Sequence, residues 1–111
     1  MTEANLMRDR FRGFLPVVLD VETGGFNCNT DAILEIAVTL LSMTAGGKLS
    51  ILETHSYNVD PFEGSNLEPS ALEFTGIDPT NPLRAAGPED LAFSDLFGIV
   101  RRAIKLQDCN R

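Results

Sequence analysis

Apolar residues come in blocks separated by short polar turns. The first block, Phe14-Leu-Pro-Val-Val-Leu19, runs into Asp20-Val-Glu22 and then Thr23-Gly-Gly-Phe26. Such a run reads as a buried strand, placed at Leu15 to Glu22, with a loop over Thr23 to Thr30. Ile33 to Met43 is rich in Ile, Val, Thr and Leu and predicts a second strand. Ala45-Gly-Gly47 signals a turn, and Leu49 to Val59 returns as a third strand ending before Pro61. Three strands joined this closely form an antiparallel meander.

The period then changes. Pro69 suits the first turn of a short helix through Phe74, which Gly76 stops. Asp78-Pro-Thr-Asn-Pro82 is a loop. Gly87-Pro-Glu-Asp90 opens a longer helix with its acidic residues at the positive end of the dipole. Phe93, Leu96, Phe97, Val100 and Ile104 recur at helical spacing and give one apolar stripe. Residues 1–13 read as a loose arm. The 111 residues allow one small α/β domain, with no internal repeat and no second domain.

Chemistry concentrates where the first strand ends. Side chains alternate along a strand, so Asp20 and Glu22 point one way and Val21 the other. Two carboxylates held this close repel unless a cation compensates, and oxygen donors suit Mg²⁺ or Mn²⁺. An acidic pair on a solvated strand face explains the same residues, and the motif alone leaves both readings open. Glu35 sits inside an apolar strand, as a supporting residue or a half-exposed one, and is not assigned to a metal. His55 lies in the third strand and reads as an ordinary strand histidine.

Charge sharpens the picture. The net charge is −7, which is unusual for a nucleic-acid binder, but its distribution is uneven. Seven of the nine basic residues lie near the ends: Arg8, Arg10, Arg12, Arg101, Arg102, Lys105 and Arg111. Between Gly13 and Val100, thirteen acidic residues face only Lys48 and Arg84. An acidic middle suits a cation and basic ends suit phosphates. Arg101, Arg102 and Lys105 equally suit the negative end of a helix. Cys28 and Cys109 lack metal-ligand spacing and are expected as free thiols. No segment has the apolar length of a membrane span, and Met1-Thr-Glu-Ala-Asn5 lacks the apolar core of a secretory signal.

Asp20-Val-Glu-Thr-Gly24 resembles the first motif of the DEDD superfamily of 3′→5′ exonucleases. Asp9-Arg-Phe-Arg-Gly-Phe14, Asp31-Ala-Ile-Leu-Glu-Ile-Ala37, Phe74-Thr-Gly-Ile-Asp-Pro79 and Cys109-Asn-Arg111 resemble, in order, the amino-terminal half of the ribonuclease T family. This resemblance implies an incomplete ribonuclease H-like (DnaQ-like exonuclease) fold. In it the three-stranded antiparallel meander and two helices form the amino-terminal part of a single exonuclease domain, residues 1–111. It implies a metal-dependent 3′→5′ exoribonuclease that trims transfer RNA and other structured RNAs, lacking here the second and third motifs. An unpaired sheet edge and a partly uncovered long helix are then expected.

By the same resemblance, Asp20 would bridge two Mg²⁺ ions, with Mn²⁺ as a substitute, and Glu22 would bind one of them. Thr23, Gly24, Gly25, Phe26 and Phe74 would contact the terminal nucleotides, the two rings by stacking on bases. For Phe74, core packing explains the residue as well. The family typically carries a glutamate where this chain has Ser70, which leaves the inherited base preference open, with Glu73 one helical turn away. Arg10, Arg12, Lys105 and Arg111 fall on positions of an RNA-binding patch in an enzyme that acts as a homodimer, with one subunit's patch feeding the other's site. Partners implied are RNA 3′ ends and single-stranded DNA, in the cytoplasm and without a membrane. The chain by itself is expected to be inactive. Other readings are a non-catalytic RNA-binding or dimerising remnant and a proofreading-type 3′→5′ DNA exonuclease.

Overall fold

The computed structural model describes residues 6–111. Its elements run α1 (Met7–Arg10), β1 (Val17–Thr23), β2 (Ile33–Met43), β3 (Leu49–Asn58), α2 (Pro69–Thr75), a 3₁₀ turn (Pro82–Arg84) and α3 (Glu89–Leu106). The strands form one antiparallel sheet in the order β1-β2-β3. The expected meander is therefore present, with β2 placed as the sequence pattern puts it. β1 starts two residues late because Pro16 has no N–H for a sheet ladder. β3 stops one residue short of Val59, whose amide still donates to the Leu34 carbonyl at 2.8 Å.

β2 carries the alternation that builds the core. Ala32, Leu34, Ile36, Val38 and Leu40 are all buried, while the residues between them are half-buried. β1 departs from expectation. Its apolar sequence predicts a buried strand, yet Val18 and Leu19 are each 53% exposed. Within this sheet β1 has β2 as its single neighbour, so its other edge and much of its side-chain surface stay open. The open edge and the exposed Leu91 and Phe97 on α3 match the uncovered edge and helix that the family resemblance implies.

The chain divides into two compact units. Among the described residues, the first holds 6–19, 38–55 and 95–111. Its buried residues are Met7, Leu15, Val38, Leu40, Leu96 and Ala103. Residues 1–5 of the expected loose arm lie outside the described residues, but the remainder is not loose. Met7 is a core residue at 2% exposure, and Arg8 pairs with Asp108. One helical turn is too short for a hydrophobic period to reveal it. Gln107 closes the end of α3 by donating its Nε2 hydrogen to the Leu41 carbonyl at 2.8 Å. The Arg111 amide donates to the Gly13 carbonyl, and its carbonyl accepts from the Leu15 amide at 2.7 Å. That is the pattern by which parallel strands pair.

The second unit holds residues 20–37 and 56–94, with Ala32, Leu34, Ile36, Val59 and Ala92 at its core. α2 ends as expected: Gly76 takes φ 74° and its amide caps the Leu72 carbonyl at 2.9 Å. The expected loop at 78–82 is more structured than its composition suggests. The Asp78 carboxylate accepts from the Thr80 amide and hydroxyl, and Asn81 caps the 3₁₀ turn through the Leu83 amide. The Arg84 side chain then donates to the carbonyls of Leu34 and Val59 at 2.8 and 3.2 Å.

The stripe predicted along α3 is displaced. Ala92, Leu96 and Ala103 are buried, Phe93, Val100 and Ile104 are half-buried, and Phe97 is half-exposed. Hydropathy weights the large rings, whereas Ala92, Leu96 and Ala103 form the innermost line. No helix among the described residues is long and apolar enough to cross a membrane.

Candidate active site

The end of β1 delivers the two carboxylates. Asp20 and Glu22 are two apart in a regular strand, so they share one face. Asp20 is exposed, and its Oδ1 accepts the amide hydrogen of Val21 at 3.0 Å. Glu22 is half-buried and lines a groove of about 360 Å³ with Thr23, Gly25, Phe26, Ser70 and Phe74. Asp20, though next to the groove in sequence, is not part of its lining.

Both aromatic candidates stand free of the core. Phe26 is 104% exposed and Phe74 is 89% exposed. Core packing therefore does not account for Phe74. An exposed ring costs free energy in hydration without repayment from burial, and a pair of them on one groove offers two flat apolar faces. The Ser70 hydroxyl is exposed on the same groove. Thr23 is engaged locally: its hydroxyl donates to the Gly25 carbonyl at 2.7 Å and tightens the turn out of β1.

The glycine pair makes a close approach within the protein itself. Gly24 and Gly25 are both buried. A Cβ on Gly24 would lie 2.6 Å from Leu67 Cδ2, and one on Gly25 would collide with the Asp31 carboxylate. The close approach is to the protein's own residues 66–68 and to Asp31. Gly25 still forms part of the groove wall.

Asp31 organises this loop. Its Oδ2 accepts the Asn27 amide hydrogen at 2.9 Å. Its Oδ1 accepts from the Thr30 hydroxyl at 2.9 Å and from Asn66 Nδ2 at 3.1 Å. The same Asn66 amino group donates to Glu68 Oε1 at 2.6 Å. The amide of Asn27, then the side chain of Asn66, hold the Asp31 carboxyl below its ordinary pKa, because all these donors favour the charged form. Sequence reasoning gave Asp31 and Asn66 no role. The signal available was the density of Asn, Asp and Thr over residues 27–31, which favours side-chain-to-backbone turns.

Asp20, Glu22, Thr23, Gly24, Gly25, Phe26 and Phe74 all belong to the second unit. Arg10, Arg12, Lys105 and Arg111 all belong to the first. Arg111 stacks on Phe14 with its guanidinium 4.8 Å from the ring centroid, and Arg10 donates to the Gly47 carbonyl at 3.3 Å. Arg12 and Lys105 are exposed. His55 stands beside Glu53 on β3, its Nε2 3.3 Å from the carboxylate, in the first unit. Glu35 is half-buried. Both cysteines are free thiols. Burial first, then the neighbouring Asp108 charge, pushes the Cys109 thiol up.

Among the described residues no cluster of three or more acidic, histidine or cysteine side chains gathers. Asp20 and Glu22 form a pure oxygen donor pair. Such a pair fits Mg²⁺, which is typically held by one or two carboxylates and completes its shell with water and phosphate oxygens.

Comparison with known proteins shows what the chain is similar to. Residues 17–111 match the RNase T exonuclease family. The ribonuclease T of Shewanella sp. (strain ANA-3) is 58% identical over 111 residues, all of this chain and 50% of the relative. That of Shewanella frigidimarina (strain NCIMB 400) is 57% identical over 109 residues, 98% of this chain and 49% of the relative. The chain thus spans about half the length of these relatives. In architecture it is similar to the cell-death related nuclease 4 (CRN-4), with a TM-score of 0.56 and 19% identity over 78% of this chain and 29% of that one. That likeness concerns the fold alone. The match over residues 17–111, with these two relatives beside it, places the chain in the RNase T exonuclease family.

Proposed function

We propose that the chain forms the amino-terminal half of a divalent-metal-dependent 3′→5′ exoribonuclease that trims the 3′ ends of transfer RNA and other structured RNAs. The observation that carries this reading is the shared groove. It sets the Glu22 carboxylate beside two exposed rings, Phe26 and Phe74. A nuclease that removes one terminal nucleotide after another needs charge at the phosphate and sequence-tolerant contact at the base.

Asp20 and Glu22 would hold Mg²⁺ or Mn²⁺, which when bound polarises the phosphate and makes water a better nucleophile at neutral pH. The rings of Phe26 and Phe74 would stack on the terminal bases and orient the last phosphodiester towards the carboxylates. The Thr23–Gly25 hydrogen bond would fix the turn joining the carboxylate strand to the Phe26 loop. Arg10, Arg12, Lys105 and Arg111 would hold phosphates upstream, in a cytoplasmic homodimer where one subunit's basic residues feed the other's site.

The test is hydrolysis of a 3′-labelled single-stranded RNA by the full-length protein that contains this chain, with Mg²⁺ and with a chelator. Activity should require the ion. Asp20→Asn and Glu22→Gln should each lower the rate about 100-fold or more, as when one strong electrostatic contributor is lost. RNA binding should persist, because each change removes negative charge. Full activity in either variant would sink the assignment.

A second reading applies to the 111 residues on their own. No third acidic or histidine side chain joins Asp20 and Glu22 among the described residues, which favours a non-catalytic RNA-binding or dimerising role for the isolated chain. Turnover by it at the rate of a full-length relative would exclude that role. Stacking also tolerates a deoxyribose, so single-stranded DNA is the competing substrate to include.

A further inference from the structure

We propose that Asp31 is a positioning residue for the terminal nucleotide, acting with Asn66 to hold Phe26 and Phe74 on one groove before any substrate arrives. The inference rests on the reading that this groove receives an RNA 3′ end.

Phe26 and Phe74 come from different segments, a loop after β1 and the helix α2. Neither ring is held by burial, since both are almost fully exposed. Their relative placement must come from the backbone beneath them. That backbone is joined at several points. The Glu68 amide donates to the Gly24 carbonyl at 2.7 Å, and the Asn66 amide donates to the Thr30 carbonyl at 2.7 Å. Asp31 and Asn66 are paired as a parallel bridge.

Side chains close the same joint. A primary amide has two hydrogens, and Asn66 uses both, one on Asp31 Oδ1 and one on Glu68 Oε1. The other Asp31 oxygen takes the Asn27 amide, one residue beyond Phe26. The carboxylate thus ties the residue next to Phe26 to Asn66, on the segment that leads into α2 at Pro69 and on to Phe74. Gly25 lies against that carboxylate with no room for a Cβ, so a larger residue there would push the loop off Asp31. Bonds to an ionised acceptor are stronger than neutral ones. Preorganisation of this kind raises affinity by removing the ordering cost at the moment of binding.

The experiment uses the full-length protein that contains this chain, with a chelator present so that the RNA is not degraded, and a short single-stranded RNA carrying 2-aminopurine at its 3′ end, whose fluorescence is quenched when the base stacks. Wild type should quench it, and Phe26→Ala and Phe74→Ala should remove the quenching. Asp31→Asn and Asn66→Ala should each weaken binding by about fivefold or more and reduce quenching at saturation, because the rings no longer meet the base in register. Amide hydrogen exchange should quicken over residues 24–31 and 66–75 and stay unchanged in β2. If both variants bind and quench like wild type while the phenylalanine variants do not, the positioning role falls and the groove reading stands. If the phenylalanine variants leave quenching intact, the groove reading falls and the positioning role with it.

Discussion

The Arg8 guanidinium meets the Asp108 carboxylate at 2.7 Å, across one hundred residues of sequence. The pair joins α1 to the segment after α3 and sets a carboxylate against Arg8 that offsets its pull on phosphate. Arg12 and Lys105 are exposed instead. Salt dependence of RNA binding should therefore separate residues that look alike in sequence. In the full-length protein, each lost phosphate contact to single-stranded RNA should reduce the log–log salt slope by about 0.7. Arg12→Ala and Lys105→Ala should show that change, and Arg8→Ala should leave the slope as it is. Equal slopes for all three variants would dismiss the patch.

Stacking makes a second distinction. Phe26 and Phe74 contribute little burial, so replacing either by Ala should leave the urea midpoint of the chain nearly unchanged. On Phe74, in a helix, Ala is the better helix former. Affinity for a single-stranded RNA should fall about fivefold to 150-fold for each ring, following about 1–3 kcal/mol per stacked base. Loss of stability without loss of affinity would mean that the rings are structural.

These cases show what the chain discloses in one dimension. β2 was legible because it is the central strand, and its buried positions obey a strict two-residue period from Ala32 to Leu40. The carboxylate pair was legible because a strand fixes the faces of Asp20 and Glu22 locally. The Asp31–Asn66 joint was not, because it spans thirty-five residues and depends on where two loops meet. The exposure of Val18 and Leu19 was hidden for a related reason. An apolar strand predicts a partner, and the sequence pattern does not say whether the partner is at hand.

Core energetics follow the same logic. Leu40 is 1% exposed and Ile51 is 74% exposed, although both read as apolar strand residues. Leu40→Ala should destabilise the chain by about 2–5 kcal/mol, combining lost transfer free energy with the cavity left behind. Ile51→Ala should fall within about 0.5 kcal/mol of wild type, as for other surface changes. Urea unfolding followed by circular dichroism decides this. Similar losses at the two sites would show that β3 is covered in solution.

Acid should loosen the loop before the core. The carboxyls of Asp31 and Asp78 are both held below the ordinary aspartate value, Asp31 chiefly by the Asn27 amide and Asp78 chiefly by the Thr80 hydroxyl. An unfolded chain has no such donors, so its aspartates titrate near the ordinary value of about 3.9. Between that value and the lower folded one, the unfolded state binds more protons than the folded state. Stability therefore rises with pH through this window, is complete above it, and is lost as pH falls through the folded values. Asp31→Asn should flatten the slope of unfolding free energy against pH below about 4, since one of the two groups no longer titrates. In wild type the Asn27 amide signal should move with the protonation of Asp31, and the amides of β2 should not. A slope unaltered by the substitution would mean that the carboxylate's bonds in the folded loop are matched in the unfolded chain.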